Sequence, residues 1–402
     1  MKRQHKRPGM LALTAALGLC YISAGMKTIF RSTVWLAMGL LLGTFSEGEM
    51  QDPVEPAPLE EKLGQMLLVG FRGTTVQADS NILRSIREIH LGGVVLFDYD
   101  MPSKSYPRNI VSPGQVRELV RNLQSAAAIP LLVAVDAEGG RINRLKPKYG
   151  FIEVPSAQHM GEAGLQENHA SYRKLARQLN GLGFNLNLAP VVDLNLNPDN
   201  PVIGSLERSF SPDPENVIAR ASAFIEEHRS LGVISTLKHF PGHGSSRQDS
   251  HLGLVDVTST FQDRELLPYQ ELIRAGQVDV IMTAHIMNRK IDPANPATLS
   301  PRFLQTILRQ DMGFGGVIIS DDMQMGAISR NFGWEESLIK AVQAGCDILA
   351  ISNNARTYDE RAATKAHSIL LAAVKGGRIP RSRIDASYRR ILRLKQKYSL
   401  VR

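Results

Sequence analysis

From Leu59 onward the chain alternates two kinds of hydrophobic pattern. Short, nearly unbroken apolar runs rich in Val, Ile and Leu fall at 66–70, 94–97, 131–135, 184–188, 234–237, 280–283, 317–320 and 348–351. Runs apolar at every position, rather than at every second one, predict strands buried on both faces, as in a parallel sheet covered by helices. Between them, at 115–128, 168–182, 215–231, 266–275, 302–311 and 334–344, apolar residues recur three or four positions apart, the spacing of an amphipathic helix. Eight such strand–helix units predict an α/β chain whose residues 59–402 form a single (β/α)8 TIM-type barrel with long βα loops. An open, doubly wound sheet is the rival arrangement.

The pattern before Leu59 is different. Lys2, Arg3, Lys6 and Arg7 precede an uncharged stretch to Met26, and Lys27 and Arg31 precede a second one, 32–46. Each half has a charged start followed by an apolar run, so 1–46 reads as a signal peptide or membrane anchor, with a true start at Met26 as one explanation of the doubling. Leu17-Gly18-Leu19-Cys20 hints at a lipidation site, but Leu19 is large for the position before the cysteine. Residues 47–58, rich in Glu, Pro and Ala, read as a linker. These features predict an exported protein, periplasmic, secreted or membrane-anchored, with membrane association only through the N-terminal segment.

Charge and cysteine usage narrow the picture. The formal net charge is +8, of which residues 1–58 hold +2 (six Lys/Arg against four Asp/Glu). No run of basic residues interleaves with aromatics, so no nucleic-acid partner is expected. Cys20 and Cys346 make neither a disulfide framework nor a CxxC pair, and Cys346 lies in an apolar run, as a small core residue would.

A barrel concentrates its chemistry at the C-terminal ends of its strands. Asp136 ends the third strand, Lys238-His239 the fifth, His285 the sixth and Asp321-Asp322 the seventh, while Asp193 follows the fourth and Asn353-Asn354 the eighth. Any one could cap a helix; six of eight together read as a ring around one pocket. A carboxylate after an apolar strand is a natural nucleophile, and either Asp321 or Asp322 fits. Lys238, Arg144 and Arg208 would keep it ionised and would bind a polyhydroxylated ligand. For the proton, Glu138 and Asp249 qualify as carboxylic acids. Asp249-Ser250-His251 offers something else, an aspartate that holds an imidazole in one tautomer for acid–base work. The glycines of Gly242-His243-Gly244 suit a movable loop. A zinc site built from His239, His243, His251 and His285 is the alternative chemistry. The first strand is followed by Phe71-Arg72-Gly73, without the HxH pair that a metal-dependent amidohydrolase barrel places there.

Four motifs in order then resemble one family. KHFPGHG (238–244) followed by DSH (249–251) is similar to the bacterial β-N-acetylhexosaminidase branch of glycoside hydrolase family 3. Ile307 to Asp311 through Gly316 to Asp321 resembles its nucleophile signature, Asp136 to Arg141 its substrate-aspartate motif, and Glu207 to Ser211 its arginine motif. The resemblance runs from Leu59 to the end of the chain. It implies a retaining exo-glycosidase, working without a cofactor or metal on carbohydrates that carry N-acetylglucosamine. Asp321 would be the nucleophile and His251, paired with Asp249, the acid/base. Asp136, Arg144, Arg208, Lys238 and His239 would hold the terminal sugar, and His243 would shape the loop. Members with a second, sandwich domain draw their acid from it, whereas the loop-histidine branch has none, and a chain ending at Arg402 is expected to follow that branch. Gln324 stands where the general pattern has a small residue, and the leader departs from cytoplasmic members. Phosphorolysis, β-glucosidase specificity and a non-catalytic wall-binding protein are the rival functions.

Overall fold

The structure is a computed structural model that describes residues 57–251 and 253–401, so the leader and nearly all of the linker lie outside the described residues. Eight parallel strands succeed one another: β1 (Leu67–Gly70), β2 (Gly93–Leu96), β3 (Leu132–Val135), β4 (Leu186–Asn187), β5 (Ile234–Phe240), β6 (Val280–Thr283), β7 (Val317–Ile319) and β8 (Leu349–Ile351). Each pairs with its sequence neighbour from β1 to β7, and β8 returns to pair with β1, Leu67 opposite Leu349. Between β7 and β8 a parallel bridge, Ile319 to Ile348, shuts the ring, with the Ser320 N–H donating to the Ile348 carbonyl (2.9 Å). The expected (β/α)8 barrel is therefore the fold, and the open sheet is excluded.

The strand residues are almost all buried because helices cover their outer faces and side chains fill the centre. The crossover helices include Pro113–Ser125, Leu165–Leu182, Pro214–Ser230 and Trp334–Ala344, and of the C-terminal pair Ala362–Lys375 packs against β1 and Arg381–Lys397 against β7. Two expected strands differ in extent by more than one residue at an end. The fourth is short because Pro190 has no N–H for the ladder, and because the Asn185 and Asn187 side chains accept from the Val133 (2.7 Å) and Ala137 (3.1 Å) N–H groups instead. The fifth runs three residues further than its apolar run, so Lys238 and His239 lie at the C-terminal end of β5, where they were expected.

The N-terminal end of the barrel is polar but structural. Buried Asp347, just before β8, is clamped by Arg309 (2.6 Å), Arg390 (3.1 Å) and Arg383 (3.3 Å). Arg309 also donates to the Phe314 and Gly316 carbonyls (2.7 and 2.6 Å), which fixes the turn into β7. One residue of the signature around the nucleophile thus aims the strand from its far end. Nearby the buried Lys395 amine donates to Gln65 (2.6 Å), and burial pulls its pKa down to about 7.

Candidate active site

At the C-terminal mouth, β7 ends in Ser320-Asp321-Asp322, and the two carboxylates are used differently. Asp322 is committed: its side chain accepts from the Ser352 N–H (2.9 Å), the Ser352 hydroxyl and the Gln324 N–H (3.2 Å), tying β7 to the end of β8. Asp321 accepts only from the neighbouring Asp322 N–H (2.7 Å) among the described residues. Burial pushes the Asp321 carboxyl up, but the facing His285, His239 and His251 and that N–H outweigh it and hold it below the usual carboxylate range. The ionised group with an unengaged oxygen is Asp321. His285 does not reach into the pocket as a ligand; its ring lies between the Thr298 hydroxyl (2.8 Å) and the Asp322 carbonyl (2.9 Å).

Across the mouth, β3 and β5 build a cradle of alternating charge. Asp136 and Glu138 are two apart along an extended segment, so they share a face. Lys238 places its ammonium between them, 2.9 Å from Asp136 and 2.6 Å from Glu138. Arg208 grips Glu138 in a two-pronged pair (2.7 and 2.8 Å), and Arg144 stands 3.6 Å from Asp136. Glu138 is nearly inaccessible, and although burial opposes ionisation, Arg208 and Lys238 pull its pKa down to about 2. It therefore cannot serve as the general acid its residue type suggested; it is the anion that fixes two cations. Asp136 and Arg144 are more open, with side chains 16% and 28% exposed, so the cradle presents these two to the pocket.

His239 is held from behind. Its Nδ1 lies 2.7 Å from Asp193, whose carboxylate also accepts the His243 N–H (2.8 Å). Arg208 Nη2 lies 3.4 Å from His239 Nε2, so the ring is gripped between Asp193 on one nitrogen and Arg208 on the other. Asp193, expected from sequence only as support behind the pocket, is the anchor of the β5 loop. That loop, Phe240 to Ser246, is buried throughout. Gly244 is needed there for close packing rather than for looseness, since a Cβ would fall 1.7 Å from the Leu194 carbonyl oxygen.

Beyond it the chain turns outward. The Asp249 carboxylate lies 2.7 Å from His251 Nδ1 and accepts the His251 N–H (2.8 Å). The imidazole is 63% exposed, and its Nε2 has no partner among the described residues. His251 is an electrostatic neighbour of Asp321, and the Ser250 carbonyl between the pair accepts the Ala327 N–H (3.3 Å), so the pair lies on the β7 side of the mouth. All eight residues singled out from sequence (Asp136, Arg144, Arg208, Lys238, His239, Asp249, His251 and Asp321) thus border one mouth. The four histidines of the zinc alternative each face a different partner, and among the described residues no group of three or more His, Cys, Asp or Glu is arranged to hold a metal ion. Sequence reading missed Asp98, which follows β2 and is buried against Lys146 (2.6 Å). Its position after a strand was the available signal.

The chain is similar to known proteins in sequence and fold. Residues 58–394 match the sequence model described as the glycosyl hydrolase family 3 N terminal domain. A β-hexosaminidase from Tolumonas auensis is 38% identical over 294 residues, covering 72% of this chain and 83% of that protein. A family 3 β-N-acetylglucosaminidase from Paenibacillus sp. superposes with a TM-score of 0.78 at 36% identity, covering 86% of this chain. This chain spans 63% of that longer protein. A β-N-acetylhexosaminidase from Beutenbergia cavernae superposes with a TM-score of 0.75 at 29% identity, covering 85% of this chain and 99% of its own.

Proposed function

The chain belongs to glycosyl hydrolase family 3 and is a glycoside hydrolase, and we propose that it removes terminal, non-reducing β-linked N-acetylglucosamine with retention of anomeric configuration. The observation that carries the reading is the division of labour between Asp321 and Asp322: one ionised carboxylate keeps an unengaged oxygen on the side of an Asp-backed histidine. The specificity for N-acetylglucosamine rests on the relatives' names.

In the proposed cycle Asp136, Arg144, Lys238, His239 and Arg208 hold the hydroxyls of the terminal sugar. The Asp321 carboxylate attacks C1 as the C1–O bond to the aglycone breaks, and His251 gives its proton to the departing oxygen. The product is a glycosyl ester on Asp321. His251, now neutral, takes a proton from water as the water oxygen attacks C1, which frees Asp321 and restores the acid. Asp249 keeps Nδ1 engaged, so the proton is exchanged at Nε2. On the reading of residues 1–46 as an export leader, the substrate is met outside the cytoplasm, as peptidoglycan fragments or chitooligosaccharides.

The test compares an aryl β-N-acetylglucosaminide with the matching β-glucoside, each with and without phosphate. The proposal expects strong preference for the N-acetyl sugar and a rate independent of phosphate. Because the acid/base is an imidazole without the negative charge of a carboxylate, phosphate could approach C1; a sugar 1-phosphate product would establish phosphorolysis instead. Preference for the glucoside would overturn the specificity.

A further inference from the structure

His243 was expected only to shape a loop, yet both of its ring nitrogens are engaged in a buried, directional chain. Nδ1 lies 2.7 Å from the Ser246 hydroxyl and Nε2 lies 3.2 Å from the Ser250 hydroxyl. His243, Ser246 and Ser250 are all buried, although Ser250 sits between half-buried Asp249 and exposed His251. The loop therefore turns Ser250 inward and the Asp249–His251 pair outward.

The direction of the chain follows from donors and acceptors. Asn200 Nδ2 donates to Ser246 Oγ (3.0 Å), so the Ser246 proton points on to His243 Nδ1. Burial draws the His243 pKa down to about 4, so the ring is neutral and carries its proton on Nε2, directed at Ser250. At the other end, the Asn200 Oδ1 accepts the Val202 and Ile203 N–H groups (2.9 and 3.1 Å), and the Val202 carbonyl accepts from Arg208 (2.7 Å). A continuous path of hydrogen bonds joins the arginine of the sugar cradle to the loop of the acid/base pair. The Ser250 carbonyl is held as well, by the Ala327 N–H just beyond the nucleophile (3.3 Å).

We propose that the His243–Ser250 hydrogen bond is a latch that positions the Asp249–His251 pair over Asp321, and that Asn200 and Ser246 tie this latch to the loop carrying Arg208. His243 and Ser250 are positioning residues: they act through His251 and touch neither sugar nor aglycone. The inference rests on His251 as the acid/base.

Misplacing a proton donor by about 1 Å costs roughly 10- to 100-fold, and only where the leaving group needs the proton. Ser250→Ala is therefore expected to lower kcat/KM by that factor on an alkyl or methoxyphenyl N-acetylglucosaminide and by less than about threefold on the dinitrophenyl one. Ser250→Thr, which keeps the hydroxyl, should recover most of the loss. His251→Ala is measured on the same pair of substrates. If His251→Ala is leaving-group dependent and Ser250→Ala loses equally on both substrates, or on neither, the latch is wrong and the acid/base reading stands. If His251→Ala itself loses equally on both, the acid/base reading falls and the latch falls with it.

Discussion

Replacing Asp321 by alanine is expected to lower kcat/KM by more than about 10⁴-fold on every substrate, while the protein keeps its fold. Removing a covalent nucleophile forfeits the whole two-step path, and losses of this order follow when such a group is deleted. A factor of 10⁴ corresponds to about 5.5 kcal/mol of transition-state stabilisation. The fold should survive because among the described residues Asp321 braces only the Asp322 N–H. A small anion such as azide can enter the vacated space and attack C1 from the face Asp321 used, so azide should restore turnover of activated substrates and give a glycosyl azide of inverted configuration. Asp322→Ala should differ in kind. It releases Ser352 and Gln324 and is expected to appear first as a lowered melting temperature. Equal catalytic loss in the two variants, with no stability difference, would mean that the pair has been assigned wrongly.

The second large effect is expected at His251. General acid catalysis contributes about 10²- to 10⁴-fold, and more as the leaving group becomes more basic. His251→Ala should therefore lose activity in that range on alkyl aglycones and far less on dinitrophenyl ones. With dinitrophenyl substrates the first step no longer needs a proton, so hydrolysis of the ester on Asp321 becomes limiting and a burst of phenolate should precede a slow steady state. The exposed position of the ring fits this double task, since the same Nε2 must reach an aglycone and later a water. A flat dependence on leaving group, without a burst, would remove His251 from the proton transfers.

The barrel was legible in the sequence because its strands are covered on both sides. Physical burial wrote runs such as Leu131 to Val135 and Val317 to Ile319 in continuous apolar residues, and the helices between them in a period of three to four. The runs failed where polar atoms replace a ladder or enter a strand. Asn185 and Asn187 stand in for backbone pairing at β4, and the polar Lys238 and His239 extend β5 beyond its apolar run. The site was legible in residue type and placement after strands, which brought Asp136, Arg208, Lys238, His251 and Asp321 to one mouth. Partnership was legible only for neighbours in sequence, as in the Asp249–His251 pair. Glu138 is an acid by composition and a clamp by position, because its pKa is set by Arg208, 70 residues away. Asp193 meets His239 across 46 residues, and Asn200 meets Ser246 across the same separation; no local pattern names such a partner.

The central claim is that Asp321 carries the sugar covalently. An N-acetylglucosaminyl fluoride with a second fluorine at C5 destabilises the positive charge that develops in both steps, while its good leaving group keeps the first step fast, so the intermediate accumulates. Intact-protein mass measurement should show one added sugar, and peptide mapping should place it on Asp321. Labelling of Asp322, Asp136 or Glu138, or turnover of the probe with inversion and no adduct, would contradict the account.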